Sequence, residues 1–357
     1  MKKHFYTLEF SNINSLNFSK VGGKCASLGE MIQAGIDVPN GFAVTTDAFL
    51  NTIVRSNLND FIEKEFKKIK KENLKELEII SEKIKSKFAK IKIPKEIEFE
   101  VLKAYEKLGN NVPVAVRSSA TAEDLPNASF AGQQDTFLWV CGKKNLLKSI
   151  YSCWASLYTV RAISYRIKNN INQTDVLMGV GVQKMVNSKV SGVAITLNPL
   201  NGDKTKIFIE SSWGLGETIV SGNVNPDNFV VEKVLHEILE RKISKKTIEL
   251  IADVNSQKTI QREIKGELQT KPSLTDNQIL EVALLSKKLE KHFKCAQDVE
   301  WTFDFDLPTG KNLFALQSRP ETIWSQKKKK PFKVKKSNNL ESIVYNLNNP
   351  YQKENKN

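Results

Sequence analysis

The sequence predicts a mixed α/β protein with a well-buried interior, and two patterns carry that prediction. Apolar residues recur at three- and four-residue steps through 48–108 and 275–293, which is helical spacing. From Val112 onward short runs rich in valine and isoleucine take over: VPVAVRSS, VGVQKMV, SGVAITLNP, KIFIESSWGLGE and DNFVVEK read as strands. Size is the third observation. At 357 residues and 40% hydrophobic content, the chain has material for two to three compact units.

The elements follow in order. In KVGGKCASLGEMIQAGIDVPNGFAVTTDAF, Gly22 and Gly23 predict a turn, and Ala26, Leu28, Met31 and Ile32 form one face of a short helix. Gly35 caps that helix, and GFAVTT is an apolar strand. Between 48 and 108, Phe61, Phe66, Ile69, Leu74, Leu77, Ile80, Ile84 and Phe88 mark the inner side of helices with a Lys/Glu exterior, and Pro94 separates two of them. VPVAVRSS is a buried strand, followed by TAEDLPNASFAGQQDTF, a loop of small and turn-forming residues. A helical stretch over 144–168 precedes the remaining strands, and Thr275 or Asp276 caps a helix over 275–293. DVEWTFDFDLPTGKNLFALQSRP is a closing hairpin. After Trp324 the composition turns to Lys, Asn and Pro, as expected of a flexible or partner-ordered tail.

The formal net charge of +14 is unevenly placed. Residues 63–92 carry 11 Lys and 6 Glu, and residues 326–357 carry 9 Lys and 2 Glu, so these two stretches hold nearly all of the excess. Lys outnumbers Arg 47 to 7, whereas base recognition in DNA leans on Arg. A solvated Lys-rich surface is therefore the expectation, with no nucleic-acid partner. No apolar run reaches the length of a membrane helix and the start lacks a signal-peptide core, so a cytoplasmic protein with no membrane partner is expected. Cys25, Cys141, Cys153 and Cys295 are widely spaced, with no CxxC pair and three histidines, which predicts buried reduced thiols rather than zinc or disulfides.

Candidate chemistry lies in six segments. In the hairpin, alternation places Val299, Trp301, Phe303 and Phe305 on one face and Asp298, Glu300, Thr302 and Asp304 on the other, while Leu313, Ala315, Gln317 and Arg319 share a face of the returning strand. A four-residue loop, Leu307 to Gly310, would set Asp306 opposite Lys311, Glu300 opposite Gln317 and Asp298 opposite Arg319. A carboxylate, an amide oxygen and a guanidinium grouped in this way suit a divalent metal on phosphate oxygens, though a surface salt bridge fits equally. Gly22-Gly23-Lys24 offers backbone donors and a cation. Arg117 ends a buried strand beside Ser118, Ser119 and Thr121, as a phosphate contact or as the partner of an acid such as Asp124. In the loop from Ala120 to Thr136, Gly132 leaves room for a phosphate and Thr136 offers a hydroxyl, as in a lid. Gln183, with Met185 and Val186, forms either an adenine-binding edge or plain core, and Glu217 in WGLGE serves a nucleotide or caps the next element.

VGGKCASLGEM with VPNGFAVTTDAF, AVRSSATAEDLPNASFAGQQDTFL, QKMV with SGVAIT, ESSWGLGETIVSGNVNPDNF, and DVEWTFD with ALQSRPET resemble, in this order, the N-terminal ATP-binding region of the phosphoenolpyruvate synthase and pyruvate phosphate dikinase family. The resemblance covers roughly residues 5–325. It implies an ATP-grasp fold, with ATP held between two α/β lobes: 1–185, including the Lys-rich helices at about 50–108, and 186–325, including the hairpin 298–319, before a basic tail at 326–357. By motif position, Lys24, Arg117 and Arg319 are the catalytic, phosphate-contacting cations. Gly132 and Thr136 are lid contacts, and Gln183, Met185 and Val186 the adenine edge. Glu217 is a further nucleotide contact, and Glu300 and Gln317 are the magnesium ligands.

The implied chemistry splits ATP into AMP, passing the β-phosphate to a histidine. None of His4, His236 and His292 lies in the family's Thr-Ser-His acceptor motif. A separate subunit carrying that histidine and the acceptor site is therefore the expected partner. Phenylphosphate synthase-like phosphorylation of phenol is the preferred assignment; a split phosphoenolpyruvate synthase or a non-catalytic ATP-sensing module is the alternative.

Overall fold

The computed structural model describes residues 5–68, 73–121, 124–125, 128–129, 136–253 and 258–324. Residues Met1–Glu321 belong to one compact unit, and Thr322 opens a second. Seven strands precede residue 185: β1 (Thr7–Glu9), β2 (Gly41–Val44), β3 (Val114–Ala120), β4 (Asp124–Leu125), β5 (Ala128–Ser129), β6 (Thr136–Val140) and β7 (Met178–Lys184). Five of them form an antiparallel sheet in the order β1-β2-β7-β3-β6, and β4 pairs with β5. Eight strands follow: β8 (Ser188–Ile195), β9 (Lys206–Trp213), β10 (Asp227–Glu232), β11 (Ile238–Lys242), β12 (Ile248–Asp253), β13 (Lys258–Glu263), β14 (Gln297–Asp304) and β15 (Leu313–Pro320). The second sheet has the antiparallel order β11-β10-β9-β8-β14-β15, and β12 and β13 form a separate ribbon.

The helices are α1 (Phe18–Gln33), α2 (Thr46–Arg55), α3 (Leu58–Phe66), α4 (Leu74–Phe88), α5 (Lys95–Leu108), α6 (Lys143–Ser156), α7 (Val160–Lys168), α8 (Glu217–Val220) and α9 (Asp276–Phe293). Their ends follow the capping rules. Pro94 stands immediately before α5, and Thr275 with Gln278 makes a reciprocal capping box at α9. At the end of α1, Gly35 takes φ +68°, its N–H donates to the Ile32 carbonyl and the Ile36 N–H donates to the Met31 carbonyl, a Schellman closure.

Two cores divide the interior. The first sheet packs on α2–α7 through side chains such as Phe49, Phe88, Val116, Ile150, Trp154 and Val180, with the Phe49 and Trp154 rings 5.9 Å apart. The second sheet packs on α9 through Ile209, Phe229, Val299, Trp301 and Phe303 against Ile279, Val282 and Leu289. Helix α1 precedes the first core in sequence, yet Cys25, Leu28 and Met31 belong to the second one. Its inner face therefore stands between strands of both sheets.

The hairpin β14–β15 corrects the expected geometry. Asp298 faces Arg319 and Glu300 faces Gln317 as anticipated, but Trp301 faces Ala315 and Phe303 faces Leu313. Leu316 is an extra residue, a bulge, and the connection exceeds four residues, with Asp304 already paired by backbone to Asn312 rather than Asp306 to Lys311. Leu313, Ala315, Gln317 and Arg319 consequently do not share a face. Leu313 and Ala315 pack in the core, and the bulge turns Gln317 and Arg319 to the other side. Phe305, expected on the apolar face, is exposed beyond the strand end. Among the cysteines, Cys25, Cys141 and Cys153 are buried and outside any disulfide, as anticipated, whereas Cys295 is exposed, just past the end of α9.

Candidate functional site

Strand pairing sets Arg117 opposite Gly181 on one side and Thr136 on the other. From there its guanidinium reaches the second sheet. Nη2 donates to Glu300 Oε2 at 2.8 Å and Nη1 to the carbonyl of the bulged Leu316 at 3.0 Å. Both side chains are largely shielded, 15% and 26% exposed, so the pair interacts more strongly than a surface ion pair. Among the described residues, the Arg117 Nε is buried without a hydrogen-bond partner.

Lys24 arrives from α1. The helix is broken at Gly22, whose φ of +76° and ψ of 172° lie outside the helical region, and a new helical turn starts at Gly23. Its Cys25 N–H donates to Ser119 Oγ at 3.1 Å, and the Lys24 ammonium donates to the Ser118 carbonyl at 3.1 Å. The positive end of a helix, a lysine and an arginine thus meet at the C-terminal part of β3, a setting suited to phosphate. Lys24, Cys25, Arg117, Gln183 and Gln317 line one small cavity there. Gln183 is buried, and its amide Nε2 has no hydrogen-bond partner among the described residues.

The second sheet contributes acids. Glu300, Val193 and Glu210 occupy one rung across β14, β8 and β9, and so share the face opposite Trp301. Asp298, on the same face, accepts from Arg319 Nε at 2.9 Å and Nη2 at 2.7 Å. Burial pushes the Asp298 carboxyl up despite Arg319, and Glu300 and Glu321 push it further. Glu210 is raised for the same reason, burial first and the Asp298 charge second. A carboxyl whose folded pKa lies above its unfolded value destabilises the fold when ionised, and that cost fades as pH falls through the folded pKa. Glu210→Gln is therefore expected to raise the thermal midpoint at pH 8 and to lose this advantage toward pH 4, as read by melting curves at the two pH values.

Other anticipated residues are placed as follows. Met185 and Val186 form the link from β7 to β8, and the Met185 N–H donates to the Pro113 carbonyl at 2.9 Å, so that donor of the linker is already engaged. Glu217 is exposed in the first turn of α8, four residues past the end of β9. Thr136 is exposed beside Arg117 at the start of β6. Gly132, the central part of the expected lid and the tail 326–357 lie outside the described residues. Glu210 and Glu321 were missed by sequence reasoning. Glu210 had a legible signal, since it interrupts the apolar positions of KIFIESSW on the face opposite Ile207 and Ile209.

For a divalent cation, the donor set fits. Glu300 and Gln317 present a carboxylate and an amide from one rung, which suits a hard ion that keeps the rest of its shell for water and phosphate oxygens. Among the described residues no group of three or more His, Cys, Asp or Glu is arranged to cage a metal, and no helix is long and apolar enough to cross a membrane.

Residues 18–340 match the family model described as pyruvate phosphate dikinase, AMP/ATP-binding domain. The chain is similar to the phosphoenolpyruvate synthase of Aeropyrum pernix, 44% identical over 341 residues, which cover 86% of this chain and 41% of that protein. It is also similar to the phosphoenolpyruvate synthase of Pyrococcus furiosus, 38% identical over 355 residues, which cover 88% of this chain and 43% of that protein. The chain thus spans about two fifths of the length of these curated relatives.

Proposed function

The chain belongs to the pyruvate phosphate dikinase AMP/ATP-binding domain family, and from that premise we propose that it binds ATP with magnesium between its two sheets and splits it to AMP, delivering the β-phosphoryl group to a histidine on a partner protein while the γ-phosphoryl group passes to water or inorganic phosphate. The observation that carries this reading is the meeting of Arg117, from the first sheet, with Glu300 and Gln317, from the second. Magnesium on Glu300 and Gln317 would supply charge neutralisation at the phosphate oxygens. Lys24, from α1, and Arg117, from the first sheet, bind and orient the phosphate chain. Arg319, held by Asp298, offers its guanidinium from the second. Such chemistry depends on positioning and charge rather than on a covalent step by the protein. Gln183 and the Met185–Val186 link would hold the base.

We assign the acceptor histidine to a partner because the two histidines among the described residues, His236 and His292, each contact another side chain. His236 contacts Lys287, and His292 contacts Glu30. For the final acceptor, phenol was the preferred assignment from sequence. The relatives are phosphoenolpyruvate synthases, which favours pyruvate.

The test uses ATP labelled separately at the β- and γ-phosphates, magnesium, this chain and a histidine-bearing candidate partner, with pyruvate and phenol as alternative acceptors. AMP formation with β-label in an acid-labile adduct on the partner is expected. Glu300→Gln should slow AMP formation by about 10²- to 10³-fold, comparable to losing one group that stabilises transition-state charge. γ-Label retained on the partner in place of β-label, or ADP as product, would overturn the reading.

A further inference from the structure

We propose that Arg117 is a placeholder for the metal: its guanidinium occupies the Glu300 carboxylate, which accepts a divalent cation only after a triphosphate has drawn Arg117 away. The inference rests on the reading of Glu300 as a metal ligand and extends it to the order in which the site fills.

Three observations carry it. First, the Arg117–Glu300 contact is direct, 2.8 Å, between side chains that are both largely shielded from water. Second, two carboxylates of the site are paired. Glu300 holds Arg117 and Asp298 holds Arg319, so each of these carboxylates already has its own guanidinium. Third, Arg117 is not spent on this pair. Among the described residues its Nε is buried without a hydrogen-bond partner and its Nη1 donates to a neutral carbonyl, so the group keeps donors for an anion. An incoming triphosphate offers several negative oxygens, against one carboxylate, and carries the competing cation with it.

A bare divalent ion has no such means of displacing Arg117. It would share Glu300 with a fixed positive charge, and even at the high effective dielectric of a half-shielded site that repulsion weakens binding by roughly tenfold or more. By linkage, triphosphate and metal must then raise each other's affinity by the same factor.

Manganese alone is the probe, with free Mn²⁺ counted by electron paramagnetic resonance in the absence of nucleotide. Wild type should hold it weakly. Arg117→Met and Arg117→Gln, each shown to be folded by circular dichroism, should bind Mn²⁺ about tenfold or more tightly than wild type, following the charge estimate above. Adding Glu300→Gln to either variant should abolish the gain, and Arg117→Lys, which keeps the charge, should stay near wild type. If neither neutral variant tightens Mn²⁺ binding, or if the gain survives loss of the Glu300 charge, the placeholder is overturned. A separate arm isolates the underlying reading: Glu300→Gln alone should weaken Mn²⁺ retention in the presence of ATP. No change there would reject Glu300 as a metal ligand; a loss there without the Arg117 effect would reject the placeholder alone.

Discussion

Gly22→Ala is expected to lower stability by about 3–5 kcal/mol and to weaken ATP binding with it, through backbone strain and overpacking acting together. A Cβ at this position would lie 1.9 Å from the Ser119 carbonyl oxygen and 2.6 Å from its hydroxyl, and φ +76° with ψ 172° is backbone space reserved almost wholly for glycine. Relief requires α1 and β3 to move apart. That movement breaks the Cys25–Ser119 hydrogen bond and withdraws Lys24 from Ser118, so the damage reaches the phosphate end of the site directly. Denaturant unfolding and ATP titration of the same variant check both halves. Gly35→Ala is the informative contrast. Gly35 also has positive φ, but its nearest neighbour is the flexible Lys288 ammonium at 3.6 Å, so the loss there should be about 1 kcal/mol and ATP affinity should stay unchanged.

The second large effect is far from the cations. Lys246→Met should destabilise the chain by about 3–5 kcal/mol, because it removes one member of a fully buried ion pair and leaves the other charged. Asp227 and Lys246 are both inaccessible to solvent and 2.6 Å apart. The remaining lone pairs of Asp227 are also used: Oδ1 accepts from the Ser244 N–H, and Oδ2 from both the N–H and the hydroxyl of Ser273. Ser273 in turn contacts Ser211 on β9, the strand that carries Glu210. One carboxylate thus ties the start of β10, the segment after β11 and the approach to α9. Asp227→Leu combined with Lys246→Met should fall well short of twice the single loss, since no lone charge is left behind. Chemical denaturation of the two variants measures the difference. A single variant within 1 kcal/mol of wild type, on the scale typical of exposed pairs, would contradict the account.

Much of the candidate site was legible because it depends on short-range rules. Period-two alternation and the pairing of Glu300 with Gln317 and of Asp298 with Arg319 follow from one hairpin, and the structure has both pairs. The route to them was partly fortuitous. The connection is longer than the four residues assumed, and the bulge at Leu316 offsets that error, so the register is right at the site and off by one beyond it. No local signal marks the bulge. Leu316 is an ordinary strand residue, and its displacement is stabilised by Arg117, 199 positions away in sequence. Glu210 was missed for a related reason: a lone acid in an apolar strand has meaning only when β8 brings its rung alongside Glu300.

By itself the sequence determined the class of fold, the caps and breaks of its helices, the alternation of its strands and the set of residue types available to a phosphate site. These depend on interactions within a few residues, where spacing and side-chain chemistry act directly. Only the tertiary structure decided that α1 shares a core with the second sheet, that Arg117 crosses to Glu300, and that a buried Asp227–Lys246 pair anchors the strands behind the acids. Each of those contacts joins segments with little or no sequence link, and its strength comes from exclusion of water, a property of the packed chain rather than of any stretch of it.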